Sequence, residues 1–347
     1  MRSIFKILSV CILSAVVLVH PGTTAWASGS SSQQEKGTAD KSRDLRITEE
    51  GFITLGQDFQ PPLQPDKNVS LNHFNYNDED REYWLYVPDT AMEGSEESKL
   101  ILALHGSGSN GFSMMMQTGL NDIAAEENVI VIYPNALKND EGLTYWSNTD
   151  EELSFLLELV DKIKKEYKID ESCVYGIGFS NGAGMIQNLA IQDSAAFAAV
   201  AACSPAYFDE EYYDMPEYVS DVAIMFSCGT LDSYALNYGG GADVDSIGAV
   251  KHLEYWRNYY SFSQEDYTYE REGLYDIYTF YSNNDLPVCQ WVTVNGKKHE
   301  VWAAETERVY DFLSQYRKVN GRLVYNDSIL VEADGVKNFL KHQLSRD

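Results

Sequence analysis

Seven short apolar runs leave this chain few ways to fold: "REYWLYVP" (81–88), "KLILALHG" (99–106), "NVIVIYPN" (128–135), "CVYGIGFS" (173–180), "FAAVAACSP" (197–205), "VAIMFSCGT" (222–230) and "VCQWVTVNG" (288–296). Apolar residues fall at consecutive positions in them, the pattern of strands covered on both faces, as in a parallel sheet. Between two of the runs, "TDEELSFLLELVDKIKKEY" (149–167) sets Leu153, Leu156, Leu157, Val160, Ile163 and Tyr167 on one helical stripe. Thr149 and Glu152 supply the T-x-x-E capping box at its start. This alternation predicts an α/β chain, a doubly wound and mostly parallel sheet with helices on both faces. The stretches 206–220 and 233–275, dense in Tyr and acid, are expected to form an irregular Tyr-rich cap.

Outside those runs the chain divides unevenly. Arg2 and Lys6, the apolar stretch Ile7 to Val19 and the A-x-A-like Ala25-Trp26-Ala27 predict an export signal over 1–27. Residues 28–50 are polar enough to predict a flexible tether. Residues 51–347 then form one catalytic-size domain, and the last 29 residues, "VNGRLVYNDSILVEADGVKNFLKHQLSRD", are expected to complete the final strand and helix. A formal charge of −27 repels nucleic acid and anionic membranes, so neither is expected as a partner once the signal is cleaved. Cys173, Cys203, Cys228 and Cys289 are an even set in an export context, readable as one or two disulfides or as buried thiols.

The chemistry centres on "CVYGIGFSNGAGM" (173–185). A serine is lifted clear of a strand-to-helix turn only where the backbone bends sharply, and glycines at Gly178 and Gly182 remove the collisions that a Cβ would cause. A serine hydroxyl needs a base, and the base an acid to orient it. In such proteins the order along the chain is serine, acid, histidine. Of the downstream histidines, His252 lies in an amphipathic helical pattern and His342 in the terminal stretch, whereas His299 opens a loop behind a strand and is the expected base. Asp232 follows the strand "AIMFSCGTL" and is the expected acid, with Asp243 and Asp245 as weaker alternatives. The backbone N–H groups of Asn181 and of Ser107, in the loop "HGSGSNG" (105–111), are the expected oxyanion donors. Trp302 and His105 are expected to contact the substrate. No Gly-Lys-Ser/Thr, H-E-x-x-H, C-x-x-C or dinucleotide fingerprint occurs, so no metal or cofactor is expected.

From "YWLYVP" through "LILALHGSGSNG", "VIVIYPNA", Trp146, "VYGIGFSNGAGM", "FAAVAACSP" and "CGTLD" to "VTVNGKKHEVW", the sequence resembles extracellular polyhydroxybutyrate depolymerases and feruloyl or acetylxylan esterases of the α/β-hydrolase superfamily. The "GFSNGAGM" elbow is the most specific element. The resemblance implies Ser180 as nucleophile, Asp232 as acid, His299 as base, and Ser107 with Asn181 as oxyanion donors. It implies a secreted serine esterase acting on feruloyl or acetyl groups of plant polysaccharide, with a small-molecule or polysaccharide ester as partner. A peptidase or polyhydroxyalkanoate depolymerase on the same triad, and a non-catalytic carbohydrate-binding protein on a degenerate scaffold, are the alternatives. Lys297 and Lys298 stand where that family carries glycines before the histidine, and Trp302 comes one position late without proline, which predicts a reshaped wall beside the base.

Overall fold

Burial on both faces, written into the apolar runs, is what the computed structural model shows. It describes residues 45–47, 53–55, 67–140, 142–193, 195–205, 221–233, 248–260, 267–282 and 285–329. Two units are distinguished, residues 1–64 and 65–347. Within the first, β1 (Leu45–Ile47) pairs antiparallel with β2 (Ile53–Leu55); the predicted signal segment and the rest of the predicted tether lie outside the described residues.

The second unit is built on one ten-stranded sheet. Its parallel centre runs, in spatial order, β12 (Pro287–Val294), β9 (Ala223–Gly229), β8 (Ala199–Cys203), β7 (Ile169–Phe179), β5 (Ser98–Leu104) and β6 (Val129–Pro134). The hairpin of β3 (Val69–Tyr76) and β4 (Glu79–Tyr86) adds antiparallel strands beside β6, and β11 (Tyr275–Tyr281) with β10 (Tyr267–Glu272) does so beside β12. Residues Leu100 to Leu104 and Val129 to Tyr133 are wholly inaccessible. Each such aliphatic side chain contributes roughly 1.5–3 kcal/mol through removal from water.

Seven helices flank these strands among the described residues: α1 (Asp89–Glu93), α2 (Gly111–Thr118), α3 (Leu120–Glu127), α4 (Asp150–Glu166), α5 (Asn181–Gln192), α6 (Gly248–Tyr260) and α7 (Ala303–Ser314). Adjacent residues of β7 separate two helical layers, because successive side chains of a strand point to opposite faces. Gly176 faces α5, where a Cβ would lie 2.4 Å from Ile186 Cδ1, while Ile177 shares a pocket with Met114 of α2 and Val309 of α7. The predicted helix 149–167 is α4, with Thr149 as its N-cap accepting from the Glu152 N–H. Its Glu152 carboxylate also accepts from both terminal guanidinium nitrogens of buried Arg81, whose Cζ lies 3.6 Å from the Phe155 ring centroid.

Two regions differ in part from expectation. Residues 248–260 are helix α6, the amphipathic helix that the pattern around His252 predicts, whereas residues 267–275, expected within an irregular cap, belong to the strands β10 and β11 that extend the sheet edge. His252, Leu253 and Trp256 recur at helical spacing and bury one stripe of α6, so the region is governed by ordinary amphipathicity. Residues 206–220 and 234–247 lie outside the described residues. The chain after α7 does not continue the main sheet. It forms a separate antiparallel sheet of β13 (Tyr316–Val319), β14 (Arg322–Tyr325) and β15 (Ser328–Ile329). Its two connections, Asn320-Gly321 and Asn326-Asp327, are two-residue turns with positive φ at both positions, the geometry that fits the twist of a hairpin. Among the described residues no helix is long and apolar enough to cross a membrane.

Candidate active site

Strand β7 ends at Phe179 and α5 begins at Asn181, so the whole reversal falls on Ser180, held at φ 54 and ψ −115. For a residue with a Cβ this is strained backbone, of order 1–3 kcal/mol. The surroundings enforce it. Ser180 N–H donates to Cys203 O at 3.0 Å, and its carbonyl takes the N–H groups of Ala183 and Gly184. A Cβ on Gly178 would fall 2.1 Å from Gly182 O, and one on Gly182 would fall 2.5 Å from both Leu104 O and His105 O. Both glycines are therefore required by backbone crowding at the corner itself, against the helix in one case and the end of β5 in the other.

The turns that follow β9 and β12 lie side by side because those strands are parallel neighbours. Thr230 N–H donates to Val294 O, Leu231 N–H to Lys297 O, and Gly296 N–H to the Thr230 hydroxyl. This lacing sets Asp232 beside His299: Nδ1 of the imidazole lies 3.0 Å from each carboxylate oxygen of Asp232, and Nε2 lies 2.9 Å from Ser180 Oγ. A carboxylate only accepts, so Nδ1 carries the proton and Nε2 presents its lone pair to the serine hydroxyl. Asp232 is fully buried and His299 nearly so. The Phe179 ring packs on the imidazole, with centroids 5.0 Å apart.

On the other side of the serine, a Cβ on Gly106 would lie 3.2 Å from Ser180 Cβ, which brings the 105–111 loop against the corner. The N–H groups of Ser107 in this loop and of Asn181 at the first turn of α5 make no backbone hydrogen bond among the described residues. The Asn181 side chain has a role that the sequence concealed. Its Oδ1 accepts from Trp146 N–H at 2.7 Å and its Nδ2 donates to Trp146 O at 3.1 Å. Trp146 Nε1 in turn donates to His105 O at 2.8 Å, and Gly108 N–H donates to Thr144 O at 2.8 Å. The helix start, the 144–146 segment and the glycine-rich loop are thus one hydrogen-bonded assembly.

His105 belongs to that assembly and not to a substrate surface, which corrects the expectation for it. It is 1% exposed, its Nδ1 donates to Gly106 O, and its Nε2 accepts from Ala136 N–H. Burial lowers its pKa to about 4, so it stays neutral. His252 is also buried, with Nδ1 donating to Gln187 Oε1, an oxygen that Trp256 Nε1 shares. Gln187 Nε2 donates to Ala183 O within α5, and its Oε1, shared by His252 and Trp256, ties α5 to α6. Asp243, Asp245 and His342 lie outside the described residues. Trp302 caps α7 and lines, with Phe179, Cys203, Val301, Glu305 and Met114, an apolar pocket next to the base.

All four cysteines of the domain are free and buried, which resolves the open choice against disulfides. Burial pushes the Cys203 thiol up to about 12, so it is no competing nucleophile. Among the described residues no cluster of side chains has the make-up of a metal site.

The chain is similar to known proteins. A family model described as esterase PHB depolymerase matches residues 81–250. A bifunctional acetylxylan esterase/xylanase of Neocallimastix patriciarum is 26% identical over 242 residues, covering 68% of this chain and 33% of that protein. Feruloyl esterase C of Emericella nidulans is 28% identical over 147 residues, 41% of this chain and 51% of that protein. The chain thus spans a third to a half of the length of these curated relatives. An acetyl xylan esterase from Aspergillus awamori superposes with a TM-score of 0.54 at 14% identity, over 71% of this chain and 99% of that one, which is a likeness of fold.

Proposed function

We propose, from this chain's place in the α/β-hydrolase superfamily beside the PHB-depolymerase esterases, that it is a serine hydrolase of carboxylic esters working through an acyl-enzyme. The observation that carries this reading is the unbroken relay from Asp232 through His299 to Ser180 Oγ, with every link at 2.9 to 3.0 Å. Ser180 Oγ attacks the ester carbonyl carbon as its proton passes to His299 Nε2. The imidazolium so formed is stabilised by Asp232. The oxyanion is taken up by the N–H groups of Ser107 and Asn181, a contribution worth roughly 3–4 kcal/mol per donor in comparable sites. Collapse of the tetrahedral intermediate expels the alcohol, which receives the proton from His299. Water then attacks the acyl-serine with His299 again as base, releasing the acid and restoring Ser180.

The substrate class follows the relatives, which are named for acetylxylan and feruloyl esters. We assign to this chain acetyl or feruloyl groups on plant polysaccharide, with Trp302 beside the base as a contact. The N-terminal Arg2, Lys6 and apolar stretch support export. The test is a panel of methyl ferulate, acetylated xylan, hydroxybutyrate oligomers, nitrophenyl esters and peptide anilides, run with the parent chain and with Ser180→Ala. Ester turnover and fluorophosphonate labelling are expected in the parent and are lost in the variant. Labelling that survives in Ser180→Ala, or amide turnover above ester turnover, refutes the assignment.

A further inference from the structure

Lys297 is one of the two residues that depart from the resembling family's pattern just before the base, and it sits at an unusual place for a lysine. It is wholly buried, whereas its neighbour Lys298 is exposed. Its Nζ lies 2.5 Å from Glu305 Oε2 on the first turn of α7, and Glu305 is itself 3% exposed. Burying two charges costs several kcal/mol for each ion, and replacing such a pair by apolar side chains of similar volume is often neutral or stabilising. Stability alone does not account for a buried ion pair at this position.

The backbone of Lys297 suggests what does. Its carbonyl accepts the N–H of Leu231, the residue before Asp232, at 2.9 Å. Gly229, at the end of β9, presses so closely that a Cβ there would lie 2.1 Å from the same carbonyl oxygen. Two residues further along the chain is His299. One peptide therefore meets the segment that carries the acid and leads directly into the segment that carries the base, while its side chain is anchored to α7. A glycine at 297 would make the backbone contacts but would have no anchor.

We propose that Lys297, clamped by Glu305, is a positioning residue that holds the Asp232 and His299 loops in register. The proposal rests on the hydrolase reading above. Burial works to lower the lysine's pKa, and the charge of Glu305 outweighs it, so the ammonium stays protonated through the neutral range. The clamp acts through geometry: a displacement of the base by about 1 Å is enough to lower a rate by roughly 100-fold.

Two variants are compared with the parent chain. Lys297→Met removes the ammonium at nearly constant length and leaves Glu305 without its partner. The double variant Lys297→Met/Glu305→Leu removes both charges and restores apolar packing. The assays are thermal unfolding, kcat and KM for nitrophenyl acetate, and the rate of fluorophosphonate labelling of Ser180. The expected result is a double variant with a melting temperature at or above the parent's, kcat lower by at least tenfold, KM within about twofold, and labelling slowed by the same factor as kcat. A double variant that recovers parental kcat together with parental stability overturns the proposal. So does a double variant that does not fold, which would make the pair purely structural. A parent chain with neither ester turnover nor labelling would instead refute the hydrolase reading, a result separable from both.

Discussion

Lowering the pH from 7.5 to 4.5 should destabilise the chain through His105 by an amount that the structure allows to be worked out. The imidazole is enclosed, its Nδ1–H is committed to Gly106 O, and its Nε2 lone pair is committed to the N–H of Ala136. A proton added at Nε2 would confront that N–H donor in a buried site. Burial depresses the group's pKa from 6.5 to about 4, against the smaller opposing effect of the bond to Gly106 O. A depressed pKa contributes stability that is fully present above pH 6.5 and is lost as the pH falls toward 4, because below 6.5 the unfolded chain takes up a proton that the folded chain refuses. At pH 4.5 the loss is about 2–3 kcal/mol, which displaces a urea midpoint by about 1 M at a slope near 3 kcal/mol/M. The assay is urea unfolding of the parent and of His105→Gln at both pH values, so that all other titrating groups cancel in the comparison. The parent is expected to lose about 2–3 kcal/mol more than the variant. Equal losses in the two chains, or an imidazole resonance of His105 that titrates near pH 6.5, would refute the reasoning.

Two further outcomes are expected. Gly178→Ala drives a Cβ into the backbone oxygen of Gly182, which no side-chain movement relieves, and should lower kcat/KM by at least about 100-fold together with the melting temperature; parental activity would show that the corner has slack. Gln187→Leu removes the acceptor shared by His252 and Trp256 in the core between α5 and α6, and should cost about 2–5 kcal/mol in urea unfolding while kcat of the folded fraction is kept. A loss below about 1 kcal/mol would mean that this amide is not holding the two helices.

Much of this molecule can be read along the chain. The apolar runs from 81 to 296 correspond to strands of the sheet within a few residues, because a strand covered on both faces must be apolar at consecutive positions, and that requirement is local. The elbow is legible for a similar reason. Crowding at one corner excludes every Cβ from positions 178 and 182, so the glycines announce the bend before any coordinates exist. Asn320-Gly321, between the short strands 316–319 and 322–325, is a hairpin signal of the same local kind.

Residue type is a weaker guide where the environment sets the role. His105 beside a glycine-rich loop invites a reading as a substrate contact, and nothing in its type reports that both ring nitrogens are already bonded to backbone. The Asn181 clamp on Trp146 spans 35 positions, the Gln187 bonds to His252 and Trp256 span 65 and 69, and each joins segments that meet only after the sheet has assembled. Lys297 reads in sequence as a change in the wall beside the base, and nothing there reports that its ammonium is enclosed against Glu305. Periodicity and crowding act within a few residues and so leave a trace in the order of amino acids. Burial of a polar group and the choice of its partner come from strands and helices packed together from distant parts of the chain, and no local pattern encodes them.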